Sequence, residues 1–322
     1  MPPIVSIIVC TRNRAQSLAR TLRAIGECRI PADLPAELLV VDNGSTDETG
    51  QIVRQIHPAN LSLRMIQEPS AGKSYACNRG LAESAGEILL FTDDDVLVGP
   101  DWIEGMCRPI LEFKADAVAG GVRFPPELDR QVRICRSWFA CTAGIIPDRP
   151  DRFVGANMAF RRDVLEQVPG FDTELGPGAL GFGEETLFAF QLREAGFRLV
   201  ARFDTAVEHH FDPARLTRPK MLQMARQMGR SKAYVLYHWR HEEIPRGRMA
   251  NSVKRLFRWP RFFATEHHFK RELEAVEKAA MAEYLAEQAG CPRRYARRGL
   301  IKLNLAPPIE RPQVRESFTG WR

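Results

Sequence analysis

Three consecutive acids, Asp93, Asp94 and Asp95, follow the apolar run Ile88, Leu89, Leu90 and Phe91. Carboxylates so close repel one another, so either water solvates them or a cation compensates them. In an extended segment alternate residues share a side, and Asp93 with Asp95 would then hold Mg²⁺ or Mn²⁺, a diphosphate completing the shell. Viewed alone, the triplet fits a solvated turn equally well. Asp42 ends another apolar run and suits either a ribose hydroxyl or base N–H, or an Asx turn before Thr46. Glu184 and Glu185 open a stretch whose apolar residues are Leu187, Phe188, Phe190 and Leu192. Acids in a first helical turn complement the helix dipole; two of them can also divide labour, one binding an acceptor and the other removing its proton. His209, after Ala206 and Val207, would complete a mixed nitrogen and oxygen site suited to Mn²⁺. His267 and His268 have no acidic companion and read as helix surface. Residues 176–181 (GPGALG) match the spacing of dinucleotide-binding glycines, but no strand precedes them, and they read as a mobile loop ahead of Glu184.

Such groups need a scaffold that delivers them to one place. Over the first 120 residues, apolar runs at 4–9, 37–41, 61–67 and 87–92 read as strands, and amphipathic stretches at 15–27, 46–56 and 74–84 as helices, with Ser45 or Thr46 capping the second helix. The alternation predicts an α/β fold around a parallel sheet, with ligands at the carboxyl ends of its strands. A strand at 155–161, a short helix at 162–167 and a helix at 184–194 follow, and beyond Thr217 the pattern is helical over 220–239, 248–268 and 269–289.

The net charge of +6 conceals a division. Residues 1–212 carry 22 Lys and Arg against 30 Asp and Glu, whereas residues 213–322 carry 24 against 10. The shift predicts a catalytic domain over 1–212, a basic helical region over 213–292 and an irregular tail over 293–322. Of the 46 basic residues 38 are Arg, so an Arg within a motif says little by itself. Seven scattered cysteines without a Cys-x-x-Cys pair read as reduced thiols of a cytoplasmic protein. No apolar run approaches the ~20 residues that cross a bilayer, and the N-terminus lacks the layout of a signal peptide.

Seven segments in order, residues 5–14 (VSIIVCTRNR), 40–48 (VVDNGSTDE), 72–80 (GKSYACNRG), 91–95 (FTDDD), 155–161 (GANMAFR), 183–185 (GEE) and 207–209 (VEH), resemble the family 2 glycosyltransferases. The resemblance covers roughly residues 4–210 and implies the GT-A fold, with a nucleotide-sugar half over about 1–120 and an acceptor half over 121–212. It implies that Thr11, Arg12, Arg14, Asp42, Lys73 and Asp93 surround the nucleotide of a UDP- or dTDP-sugar, and that Asp93, Asp95 and His209 hold Mn²⁺ or Mg²⁺. Glu184 would bind the acceptor and Glu185 act as base in an inverting displacement. The family often has Glu-Asp where Glu184 and Glu185 stand, and Arg where Cys77 stands.

Two other readings are a nucleotidyltransferase, for which a glycine-rich loop should follow the first strand, and a nucleic-acid-binding protein, for which no helix-turn-helix, RNP or zinc-finger signature exists. No nucleic-acid partner is therefore expected. Residues 255–263 (RLFRWPRFF) interleave cations with aromatics and fit either an interfacial helix on anionic lipid or a helix packed on the catalytic domain. The membrane reading would place the protein at the inner face of the membrane, with a lipid-linked glycan as acceptor; a glycan acceptor fits the packed alternative.

Overall fold

The computed structural model describes residues 2–142, 145, 150, 152–242 and 266–303. Strands β1 (Val5–Thr11), β2 (Ala36–Asp42), β3 (Ser62–Gln67) and β4 (Ile88–Asp93) alternate with helices α1 (Ala15–Gly26), α2 (Thr49–Gln55) and α3 (Lys73–Glu83). Then come β5 (Val96–Leu97), α4 (Trp102–Leu111), β6 (Ala117–Arg123), α5 (Pro126–Gln131), β7 (Asn157–Arg161), α6 (Glu184–Glu194) and β8 (Leu199–His209). Helix α7 (Arg218–Tyr234) runs on into a π turn over Val235–Arg240, and α8 is Glu266–Glu287.

The eight strands among the described residues form one sheet in the order β3-β2-β1-β4-β7-β6-β8-β5. The first four are parallel, as their crossover helices require, while β7 runs antiparallel to both β4 and β6. The sheet is thus mixed. Its central strand β1 is covered on both faces, which explains its unbroken apolar run. Val5, Ile7 and Val9 pack on one side with Leu18, Leu22 and Ile25 of α1 and with α4, whereas Ile8 packs on the other with α3 and α6. Each of those α1 side chains contributes roughly 1.5–3 kcal/mol by burial, enough to hold the helix without a side-chain cap of its own. Helix α3 approaches β1 so closely that a Cβ on Gly80 would stand 2.6 Å from Ile8 Cγ2.

The expected elements before residue 95 and over 155–194 are present. Helix α2 begins three residues later than expected, because Ser45 and Thr46 serve another contact: Ser45 Oγ accepts from Asn13 N (2.8 Å) and Thr46 N donates to Asn13 Oδ1 (2.7 Å). Asp47 then caps both helices nearby, accepting from Thr49 N (3.0 Å) and Ala15 N (3.1 Å). His267 and His268 lie on α8, the first exposed and the second half-buried. The aromatic and basic segment at 255–263 lies outside the described residues.

Beyond residue 212 the chain returns onto the sheet domain. Met221 and Met224 of α7 and Leu273 of α8 bury against Phe124, Phe139 and Phe211, and Tyr234, Trp239 and Tyr284 against Leu175 and Leu187. The described part of the C-terminal segment, up to residue 303, has no regular structure, yet Tyr295 is buried in the second of these clusters.

Asn157, at the start of β7, joins three elements. It accepts from Trp102 Nε1 (2.9 Å) and donates to the carbonyls of Gly121 and Thr205 (both 2.9 Å), with no exposed surface. Asn157→Ala leaves an indole N–H and two carbonyls unpaired in the core. It should lower unfolding stability by about 3 kcal/mol in a urea titration.

Candidate active site

The parallel strands deliver their polar ends to one edge. Thr11 is in register with Asp42, and Cys10 with Asp93, so residues leaving β1, β2 and β4 emerge side by side. They open onto a cavity of about 880 Å³, in the range of small-molecule sites. Thr11, Arg12, Arg14, Lys73, Asp93, Asp95, Glu184, Glu185 and His209 all line it.

The three acids do not act as one group. Asp93 at the end of β4 pairs with Lys73 Nζ (2.6 Å) at the start of α3. Asp94 turns inward and accepts from Thr11 Oγ1 (2.8 Å) and Arg14 Nη1 (3.0 Å). Its burial raises its pKa to about 6 despite Arg14. Asp95 accepts from Arg14 Nη1 (2.6 Å) through Oδ2 and turns Oδ1 toward His209 Nε2 at 3.1 Å. Burial works against ionisation of Asp95, but His209, in its doubly protonated form, and Arg14 outweigh it and hold the carboxyl below its ordinary range.

His209 reaches Asp95 through the two-residue strand β5. Val96 pairs with His209 across the antiparallel β5–β8 contact, and His210 N donates to the Asp95 carbonyl (2.7 Å). The other ring nitrogen, Nδ1, lies 2.8 Å from the Phe139 carbonyl. A carbonyl only accepts, so Nδ1 carries a proton and, in the neutral ring, Nε2 presents a lone pair to Asp95. Although 3.1 Å apart, the two groups do not meet hydrogen-bond geometry, and Asp95 Oδ1 is buried without a donor. A buried imidazole nitrogen beside an orphaned carboxylate oxygen is a donor set that suits Mn²⁺ or Mg²⁺. Among the described residues no three His, Cys, Asp or Glu side chains converge, so the remaining positions would fall to water and substrate oxygens. The residues therefore fit a substrate-completed metal site. Of the three expected ligands, Asp95 and His209 face each other, while Asp93 is paired with Lys73 Nζ.

Across the cavity, Glu184 and Glu185 occupy the first turn of α6, entered through Gly183 in the left-handed conformation (φ 94°). Each has an Oε2 atom that is buried without a partner. Burial first, and then the neighbouring Glu185 charge, raises the Glu184 pKa well above the ordinary carboxylate value against the pull of Lys73. Residues 175–183 wrap this pair. The Pro177 carbonyl accepts from Lys73 N (2.9 Å), and the Leu175 carbonyl from Ser74 Oγ (2.8 Å). Gly176 (φ 87°) lets the loop pass, since a Cβ there would lie 2.9 Å from the Glu184 carboxyl carbon.

Asp42 stands apart. Its Oδ1 accepts from Ser45 N (2.9 Å), the Asx turn, and its Oδ2 from Gln67 Nε2 (3.1 Å), beside a second cavity of about 520 Å³. Its neighbour Asn43 is the one that lines the main cavity. Asn43 bonds the carbonyls of Glu68 (3.0 Å) and Ser70 (2.7 Å) and the amide of Gly72 (2.8 Å), fixing the approach to Lys73.

Sequence reading passed over Arg215. Its guanidinium lies 5.3 Å from the Phe139 ring centre and 5.5 Å from that of Phe211, facing the cavity. Among the described residues it makes no side-chain hydrogen bond or ion pair. In a chain with 38 arginines its type carried no signal. Cys77, where Arg was expected, instead packs under the site with its Sγ 3.6 Å from that of Cys10.

The sequence model of the family described as Glycosyl transferase family 2 matches residues 6–168, just over half of the chain. The chain belongs to glycosyl transferase family 2. Among relatives of this glycosyltransferase, Glycosyltransferase AglE of Haloferax volcanii is 29% identical over 229 residues, 66% of this chain and 68% of the relative. Glucosyl-dolichyl phosphate glucuronosyltransferase of the same organism is 27% identical over 182 residues, 53% and 57% of the two chains. The match to the second thus spans little more than half of that protein's length. Of solved structures, the mannosyltransferase PcManGT from Pyrobaculum calidifontis, in complex with GDP-Man and Mn²⁺, superposes with a TM-score of 0.56 at 22% identity, over 91% of this chain and 76% of the other. Staphylococcus aureus TarS 1–349 in complex with UDP gives 0.51 at 18%, over 91% and 93%. At these identities the likeness concerns the fold, which is GT-A. With the family established, the nucleotidyltransferase and nucleic-acid readings give way. No described helix of the glycosyltransferase is long and apolar enough to cross a membrane.

The pKa of Glu184 yields a stability prediction with a definite sign. The native state holds the proton more tightly than the unfolded chain, so wild-type stability falls as pH rises above the ordinary Glu value of 4.5. Glu184→Gln removes that term. Relative to wild type, the variant should gain stability at pH 8 and lose this advantage at pH 4, as urea titrations at the two pH values would read.

Proposed function

We propose that this glycosyltransferase moves a sugar from a nucleotide-diphosphate donor, UDP or dTDP, to a hydroxyl of a glycan or lipid-linked glycan, with inversion at the anomeric carbon. The observation that carries the reading is one cavity with the orphaned Asp95 Oδ1 beside His209 on one wall and, on another, Glu184 and Glu185, each with a buried Oε2 that has no partner. Thr11, Arg12, Arg14, Lys73 and Asp93 form the donor wall, with Asp42 beyond Asn43 toward the base and ribose. Asp95 and His209 hold the metal that, when bound, screens the donor's diphosphate. Arg215, whose cation is half-buried on two aromatic rings and forms no ion pair among the described residues, supplies positive charge to the departing nucleoside diphosphate together with Arg14 and Lys73.

Glu184, which holds its proton, donates a hydrogen bond to the acceptor. Glu185 accepts the proton from the acceptor hydroxyl as that oxygen attacks the anomeric carbon and the bond to the diphosphate breaks. A single displacement of this kind needs one base on the acceptor side and no protein nucleophile, which matches inversion. The segment at 255–263 and the basic C-terminal region would serve contact with anionic lipid if the acceptor is membrane-borne.

Calorimetric titration with UDP, dTDP and GDP, each with and without Mn²⁺, should give metal-dependent binding of one uridine or thymidine diphosphate. Binding of none of them overturns the proposal. Asp95→Asn should abolish the metal dependence of that binding. Glu185→Gln should retain donor binding and lower transfer at least ~10²-fold, and Arg215→Ala should lower kcat roughly tenfold or more with little change in acceptor KM.

A further inference from the structure

Asp172 lies outside the cavity, with only 1% of its side chain exposed. Four donors converge on it. Oδ2 accepts from Tyr234 Oη (2.5 Å) and Tyr295 Oη (2.7 Å), and Oδ1 from Lys302 Nζ (2.6 Å) and Glu174 N (3.0 Å). Lys302 reaches Glu174 Oε2 as well (2.8 Å). Tyr295 and Lys302 belong to the irregular segment after α8, which returns across the molecule as a strap. Its path is set by hydrogen bonds: Arg298 N donates to the Trp239 carbonyl (2.7 Å), Trp239 Nε1 to the Gly299 carbonyl (3.0 Å) and Gln191 Nε2, from α6 itself, to the Leu300 carbonyl (3.0 Å).

Lys302 keeps a third of its side chain in solvent, which screens the ion pair and limits what it adds to stability. What the pair can provide is register, because a carboxylate with four directed donors has one seat. That seat is the start of the loop 172–183, whose far end carries Glu184. Between the two ends the loop bonds Lys73 N through the Pro177 carbonyl and passes Gly176 against the Glu184 carboxyl. A shift of Asp172 therefore moves the backbone that sets Lys73 and Glu184 relative to each other.

We propose that Lys302 and Tyr295 are positioning residues: through Asp172 they hold the loop 172–183 in the conformation that packs it on Lys73 and Glu184. The C-terminal strap thus supports, from outside the cavity, the loop that borders it. The effect on turnover rests on Glu184 and Glu185 being the reaction's carboxylates; the effect on the loop does not.

The test uses the full chain with Lys302→Ala, Lys302→Arg and Tyr295→Phe. Amide hydrogen exchange is followed over 172–186 and, as a remote reference, over 36–67; kcat and donor KM are measured with the nucleotide sugar that calorimetry selects, and Tm is recorded alongside. Lys302→Ala should raise exchange over 172–186 at least several-fold while 36–67 stays as in wild type, and should lower kcat roughly tenfold or more, with a smaller change in donor KM. Tyr295→Phe should act in the same direction more weakly, and Lys302→Arg should restore most of both readouts. Unchanged exchange over 172–186 in Lys302→Ala and Tyr295→Phe overturns the proposal, as does raised exchange with wild-type kcat or a loss of kcat no larger than the loss of folded protein. Failure of the wild type to turn over any nucleotide sugar would instead count against the proposed function, and the exchange comparison would still decide whether the strap sets the loop.

Discussion

The two-residue pairing of β5 with β8 is the contact on which the site depends. It brings position 95 against position 209, and the remainder of the sheet is arranged so that these strand ends can meet: β8 must lie beyond β6 and β7, and the chain must turn within two residues of Asp95. The pairing places an imidazole nitrogen and a carboxylate oxygen face to face, both largely buried in the cavity wall. Neither satisfies the other, and the proposed cation site rests on the electron pairs they turn toward one gap.

The same cavity contains an excess of acid held in check by different means. Asp93 is neutralised by Lys73, Asp94 and Asp95 share Arg14, and burial beside Glu185 raises the Glu184 pKa well above the ordinary carboxylate value. These solutions are not interchangeable. An ion-paired carboxylate can move only with its partner, whereas a carboxyl that holds its proton can donate a hydrogen bond. Low dielectric surroundings make both arrangements costly to disturb. That cost explains why the loop 172–183 is tied at so many points to α3, α6 and the C-terminal strap.

Much of this was legible in the primary sequence. Strand and helix alternation up to residue 95, the acidic triplet at a strand end and the paired glutamates at a helix start all follow from periodicity and residue type, since each is a local pattern that burial on two faces of a sheet enforces. Less visible was Arg215, one arginine among many, whose significance comes from the rings beneath it. Asp42 was read correctly as a strand-end acid, but both of its oxygens are taken by protein donors that lie 3 and 25 residues along the chain. The basic C-terminal region looked like a separate unit by charge; its burial against Leu175, Leu187 and Phe139 depends on apolar residues dispersed among the cations.

The sequence by itself determined the class of fold and the chemistry on offer, because hydrophobic periodicity and side-chain type are local properties that any fold must respect. Only the tertiary structure decided which acids share a cation and which share a proton. Lys73, 20 residues from Asp93, pairs with that acid; His209, more than a hundred residues from Asp95, stands 3.1 Å from it. Those partnerships depend on strand order, on the close approach allowed at Gly80 and Gly176, and on a C-terminal strap. None of these is encoded in the spacing of the residues they bring together.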